Sequence, residues 1–322
     1  MVHDRGLVSV VIPAYNAENY ISDSILSVLQ QTYQNLEIIV VDDASIDNTL
    51  KVVQGFNDKR IALFSQEINR GPGAARNVGM HLAKGLWIAF LDADDLWEPC
   101  RLEKLFDDEN KTWDSNIFLA DDSYLCFDTN SGLKKWGSLF KIRHNLKSMN
   151  KFEVLDFEDY LKIGVPVIHP IISTKLIREN SLQFNEEIFL GEDLDFYYQI
   201  FRTGAKLILF FEPSYLYRIT PGSLTSKNNN DQLIWVLANI LAGEKEETVY
   251  ESLSEIIVNA IYDKKINKFK KLFVDKKFLM LIKKILEEPV VAVFLLKKVP
   301  FFIKYQFALW KLGAKFRWTG IE

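Results

Sequence analysis

Phe90-Leu91-Asp92-Ala93-Asp94-Asp95 decides the reading of this chain. It closes the apolar run 86–91, short and flanked by polar residues as a buried strand is, and crowds carboxylates just past the strand's end. The same plan recurs upstream. Leu7-Val8-Ser9-Val10-Val11-Ile12 is a β-branched run ended by Pro13 and followed by Ala14-Tyr15-Asn16, and the run 36–41 leads into Asp42-Asp43-Ala44-Ser45. Ile61-Ala62-Leu63-Phe64 reads as another strand. Helices fall between the strands. Ile21, Ile25, Val28 and Leu29 share one helical face after a cap at Asn16; Asp47 caps a helix through Leu50 and Val53; residues 73–83 form a helix of small residues. Strands alternating with helices predict an α/β fold, a doubly wound, mostly parallel sheet flanked by helices. Such sheets bind ligands beyond the carboxyl ends of their strands, where these polar residues lie. Five carboxylates at two strand ends repel one another unless a cation or a hydrogen-bonding ligand sits among them.

Composition narrows the function. The chain has 322 residues, 48% hydrophobic and 25% charged, enough for one large or two modest domains with a real core. A net charge of −4 and a pI near 5.7 argue against bulk nucleic-acid binding. Cys100 and Cys126 cannot build a disulfide framework, and His3, His81, His144 and His169 are scattered. No signal-peptide pattern opens the chain, and its longest run without Asp, Glu, Lys or Arg is residues 24–36, so the expectation is a cytosolic protein. Charge is uneven. Residues 264–318 carry fourteen Lys and one Arg against three acids, a net of +12, which leaves −16 for the rest. Large apolar residues interleave with those lysines. The segment is either a helical subdomain with a solvated basic face or an anchor at an anionic membrane surface.

Asp92 and Asp94 have the chemistry of a site for Mg²⁺ or Mn²⁺ bridging to a diphosphate. With no His or Cys ligand beside them, zinc is not expected. Asn69-Arg70-Gly71-Pro72-Gly73-Ala74-Ala75-Arg76-Asn77 opens a helix. Arg76 meets a phosphate there, or the segment is a tight turn packed by Ala74 and Ala75. It is neither a P-loop nor a dinucleotide fingerprint. Gly191-Glu192-Asp193 starts a helix whose apolar face is Leu194, Tyr197, Ile200 and Phe201. His169, before Pro170 in an apolar run, reads as a buried structural residue, and Trp97 and Trp113 as packing.

Four motifs in fixed order, Ser9 to Asn16, Asp42 to Ser45, Asn69 to Asn77 and Phe90 to Asp95, resemble the family 2 glycosyltransferases. The resemblance covers residues 7–225. It implies the GT-A fold and an inverting enzyme that uses nucleotide-diphosphate sugars. It implies that Pro13, Tyr15 and Asp43 border the nucleotide, with Asp42 sharing that role or not. Asp92 and Asp94 become the pair near ribose, Mn²⁺ or Mg²⁺, and diphosphate, with Asp95 a substitute ligand. Asp193 becomes the catalytic base and Glu192 its neighbour. Inversion is one displacement, so a carboxylate must take the proton of the attacking hydroxyl. Tyr217-Arg218-Ile219-Thr220-Pro221-Gly222-Ser223-Leu224-Thr225 also matches the family, with Arg218 holding a phosphate, and is similar to bacterial succinoglycan-type exopolysaccharide transferases. That looser likeness implies a UDP-glucose donor, a lipid-linked saccharide acceptor and work at the inner face of the membrane. Transfer to lipopolysaccharide, capsule or protein, and a silent nucleotide-sugar-binding scaffold, are the alternatives. The expected organisation is a catalytic domain over residues 1–228 and a helical, basic region over 229–322.

Overall fold

The computed structural model describes residues 6–106, 116–129, 132–143, 151–165, 167–220, 236–241, 248–249, 251–253 and 256. The chain divides into two compact units, Met1–Ser223 and Leu224–Glu322. The first unit holds, in chain order, β1 (Val8–Ala14), α1 (Ile21–Leu29), β2 (Leu36–Asp42), α2 (Thr49–Gln54), β3 (Ile61–Ser65), α3 (Pro72–Leu82), β4 (Trp87–Phe90), β5 (Leu96–Trp97) and α4 (Arg101–Phe106). It continues with β6 (Ile117–Thr129), β7 (Gly132–Ser138), α5 (Leu139–Arg143), β8 (Phe152–Leu155), α6 (Phe157–Lys162), β9 (Ile171–Ser173), α7 (Thr174–Glu179), α8 (Glu192–Arg202) and β10 (Lys206–Arg218).

The strands make one sheet in the order β3-β2-β1-β4-β9-β6-β10-β5, with β7 added to β6 and β8 to β10. The expected α/β sheet is present, and its first four strands are all parallel. Past β4 the sheet becomes mixed: β9 runs antiparallel to both β4 and β6, while β10 is parallel to β6. The β-branched core of β1 and β2 explains why these strands sit centrally. Val8, Val10, Ile12, Ile38 and Val40 are wholly buried, and α1 lays Ile21, Ile25 and Val28 on them. Leu29 is only half-buried.

Three local expectations are corrected. Pro13 does not end β1; it pairs with Val41, and the strand runs on to Ala14. Pairing with β4 stops at Val11, so the side on which Pro13 lacks an N–H has no ladder left to break. Asn16 does not cap α1, whose N-cap is Tyr20. It has a positive φ of 50°, and its side chain accepts from Ile46 N while its own N–H donates to Ser45, tying the β1 end to the β2 end. Asp47 is one position ahead of the α2 N-cap, Asn48, yet still accepts from Thr49 N at 2.9 Å.

Of the second unit, the described residues Val236, Leu237, Ile240, Val249 and Leu253 are buried and helical. The loop 221–225, Asn228-Asn229-Asn230, the basic segment 264–318 and Trp113 lie outside the described residues. Among the described residues, no helix is long and apolar enough to cross a membrane.

Candidate active site

The polar ends of β1, β2 and β4 share one rim. Tyr15, just past β1, is 49% exposed. Asp42 and Asp43 are both buried at the end of β2. Asp43 Oδ1 accepts from Gln66 Nε2 and Arg70 N, and Oδ2 from Gly71 N, each at 2.8 Å. Its carboxylate therefore shapes the 66–71 loop. Asp42 Oδ2 accepts from Ser45 N, while its Oδ1 is buried with no partner. The repulsion expected at this strand end is relieved by the chain's own donors.

The second carboxylate group follows β4. Asp92 Oδ1 accepts from Arg76 Nη2 at 2.8 Å, and Arg76 Nη1 donates to Glu192 Oε1 at 2.7 Å. Arg76 thus spans from α3 to both the β4 end and the start of α8. Its guanidinium holds two carboxylates. Burial opposes charge here, but Arg76 keeps Asp92 below the usual carboxylate range. Asp94 Oδ2 accepts from Thr220 Oγ1, and burial, then Asp92, push its pKa up. Asp95 is almost wholly buried; Tyr215 OH donates to Oδ2 and Arg218 N to Oδ1, both at 2.8 Å. The Arg218 side chain reaches Asp23 at 2.9 Å and lies over the Tyr20 ring. Its Nε is buried without a partner.

Glu192 and Asp193 start α8 because Gly191 takes the left-handed conformation, φ 87°, which a Cβ would strain. The turn aims Asp193 into a cleft shared with Arg76, Asp92 and His169 and walled by Phe90 and Phe184. Neither acid caps the helix; both lie in its first turn. Asp193 keeps a face on the cleft, but burial and then Glu192 raise its pKa to about 6. A carboxyl poised there accepts a proton from a hydroxyl more readily than an ordinary Asp.

Residues the motifs did not reveal build the back wall. His169 stacks flat on Tyr215, centroids 3.6 Å apart, and burial lowers its pKa to about 4, leaving the ring neutral. Its carbonyl accepts from Arg101 Nη2, and the neighbouring Ile168 carbonyl accepts from Tyr197 OH. Arg101 is fully buried, paired with Asp121 at 2.7 Å and set over Trp97. Asp121 Oδ2 accepts from Ser214 N and Oγ, at the β10 bulge around Pro213. Trp97 packs as expected.

His169 is buried, as expected, and lies close to the carboxylates. Among the described residues, one group could hold a metal ion: Asp92, Asp95 and His169, each offering a ligand atom within 4.8 Å of the others. The expected pair was Asp92 with Asp94, and the argument from missing histidines no longer holds. His169 Nδ1 is buried without a hydrogen-bond partner. Carboxylate oxygens close to an imidazole nitrogen suit a divalent cation.

Known proteins resemble this chain. Residues 9–167 match the model for "Glycosyl transferase family 2". An uncharacterized glycosyltransferase of Haemophilus influenzae is 33% identical over 230 residues, covering 70% of this chain and 69% of that one. The Escherichia coli protein WfgD, named a UDP-Glc:alpha-D-GlcNAc-diphosphoundecaprenol beta-1,3-glucosyltransferase, is 43% identical over 142 residues, 44% of this chain. The first curated relatives are matched over only 40% to 55% of their own length. The crystal structure of Staphylococcus aureus TarS 1-349 shares the fold, with a TM-score of 0.56 and 22% identity over 80% of this chain and 72% of that one. A sheet with its acids at the strand ends, a family model that spans them and a relative matched over 69% of its length agree: the chain belongs to glycosyl transferase family 2.

Proposed function

We propose that this glycosyltransferase moves glucose from UDP-glucose, with inversion, to a saccharide acceptor carried on a lipid diphosphate during bacterial exopolysaccharide synthesis. The observation that carries the reading is the cleft that holds Asp193 across from Asp92, with Arg76 joining Asp92 to Glu192. In it, Asp193 takes the proton of the acceptor hydroxyl as that oxygen attacks the anomeric carbon. Arg76 and Glu192 hold the base side and the donor side at one spacing. Pro13, Tyr15, Asp42 and Asp43 border the nucleotide; Arg218 lies on the diphosphate side. Asp92 and Asp94, with Asp95 and His169 beside them, would hold Mn²⁺ or Mg²⁺. A bound cation supplies neutralisation of the leaving diphosphate. The name of WfgD supports the donor and acceptor classes.

The reading is tested by a hydrolysis screen of UDP-, GDP- and dTDP-sugars with Mn²⁺ or Mg²⁺, followed by transfer to a lipid-diphosphate saccharide. UDP-glucose is expected to turn over fastest, and transfer to exceed hydrolysis. Preference for another donor, or for a free saccharide acceptor, rejects the corresponding half.

A further inference from the structure

We propose that His169 is a nitrogen ligand of the divalent cation, completing with Asp92 and Asp95 a mixed oxygen–nitrogen centre that prefers Mn²⁺ to Mg²⁺. The inference rests on the reading that a cation binds at the Asp92 end of the cleft, and it assigns a ligand that the acidic motif does not contain.

Three observations converge on the ring. One ligand atom of His169 lies within 4.8 Å of a carboxylate oxygen of Asp92 and of Asp95. The residue is only 9% exposed, yet Nδ1 has no hydrogen-bond partner. A histidine that serves packing alone normally gives a buried nitrogen to a backbone group, because an unsatisfied one costs stability. Here the ring cannot turn away to find a partner. It is stacked at 4° on Tyr215, and the backbone on either side of its Cα is pinned through the Ile168 and His169 carbonyls. That is the preparation a metal ligand needs.

The carboxylates have capacity left. Arg76 occupies Asp92 Oδ1, and no described hydrogen bond uses Oδ2. Each Asp95 oxygen accepts one bond, from Arg218 N or Tyr215 OH, and keeps a second lone pair. Tyr215 links the parts: its ring carries His169, its hydroxyl donates to Asp95, and that oxygen also accepts from Asp92 N. A nitrogen donor changes selectivity. Mg²⁺ prefers all-oxygen surroundings and keeps its waters, whereas Mn²⁺ lies in the series that accepts imidazole.

The experiment is electron spin-echo spectroscopy of Mn²⁺ bound to the full chain, with and without UDP. Modulation from ¹⁴N is expected, and labelling the protein with ¹⁵N-histidine is expected to convert it. The wild-type spectrum needs no variant, so the test survives poor folding of a mutant. In parallel, His169→Gln and His169→Ala, checked for folding by circular dichroism, are expected to bind Mn²⁺ about ten-fold or more weakly and to lose preference over Mg²⁺. Bound Mn²⁺ without histidine nitrogen coupling overturns the inference and leaves a cation on Asp92 and Asp94 standing. No Mn²⁺ binding in either state overturns both.

Discussion

In the proposed reaction, Asp193 is the residue on which turnover depends. Asp193→Asn keeps its shape and removes the base, so kcat is expected to fall by about 10²–10⁴ while UDP-sugar binding, read by calorimetry, stays near wild type. Its raised pKa sets the pH profile. Only the ionised carboxylate accepts a proton, so kcat/KM is expected to fall as pH drops through about 6 and to level off above it. Arg76 opposes that rise in the Asp193 pKa and holds Glu192 beside it. Arg76→Gln removes the charge and the fork to two acids. Its acid limb should move to higher pH, with kcat/KM down about ten-fold; an unmoved limb would mean that Arg76 serves stability alone. Much at this scale was legible: Asp92, Asp94, Glu192 and Asp193 each follow a strand or open a helix, and local pattern finds them. His169 was read only as a core residue. It is 77 positions from Asp92, and nothing within a few residues of it says which strand end it will face.

At the scale of elements, the close seat of α3 on β1 brings Arg76 to the rim. Gly79 permits it: a Cβ there would lie 2.2 Å from Val11 Cγ1. Gly79→Ala gains about 1 kcal/mol of helix propensity. It also forces a methyl group against a β-branched side chain on a fully buried strand, which costs about 1–3 kcal/mol or more. The clash should win, since Val11 has no flexible end to move aside. A lower urea midpoint with an unchanged slope is the expected result; a raised midpoint would show that α3 lifts off freely. Strand and helix order through β4 was readable from runs of β-branched residues and the 3.6-residue period. The end of β1 was not, because whether Pro13 breaks a ladder depends on how far β4 reaches.

For the whole molecule, the acidic body and the basic segment 264–318 predict two binding behaviours. Each lysine near an anionic surface contributes about 1 kcal/mol at low salt, so a third of the fifteen basic residues suffices for retention. The full chain is expected to pellet with anionic vesicles, much less with neutral ones, and to be released by salt; removal of residues after Lys264 should abolish pelleting. Indifference to anionic vesicles at low ionic strength would leave that segment a packing element. Composition, strand–helix alternation and four ordered motifs determined the fold class, the family and the acids at the strand ends, because each is written in local spacing. Tertiary structure alone decided that the sheet turns mixed beyond β4, that Arg101 and Asp121 form a buried pair behind the cleft, and that Tyr215 stacks on His169 beside Asp92 and Asp95. Those contacts join segments far apart in the chain. No local period encodes them, since they arise only when burial of the β6–β10 core brings the segments together.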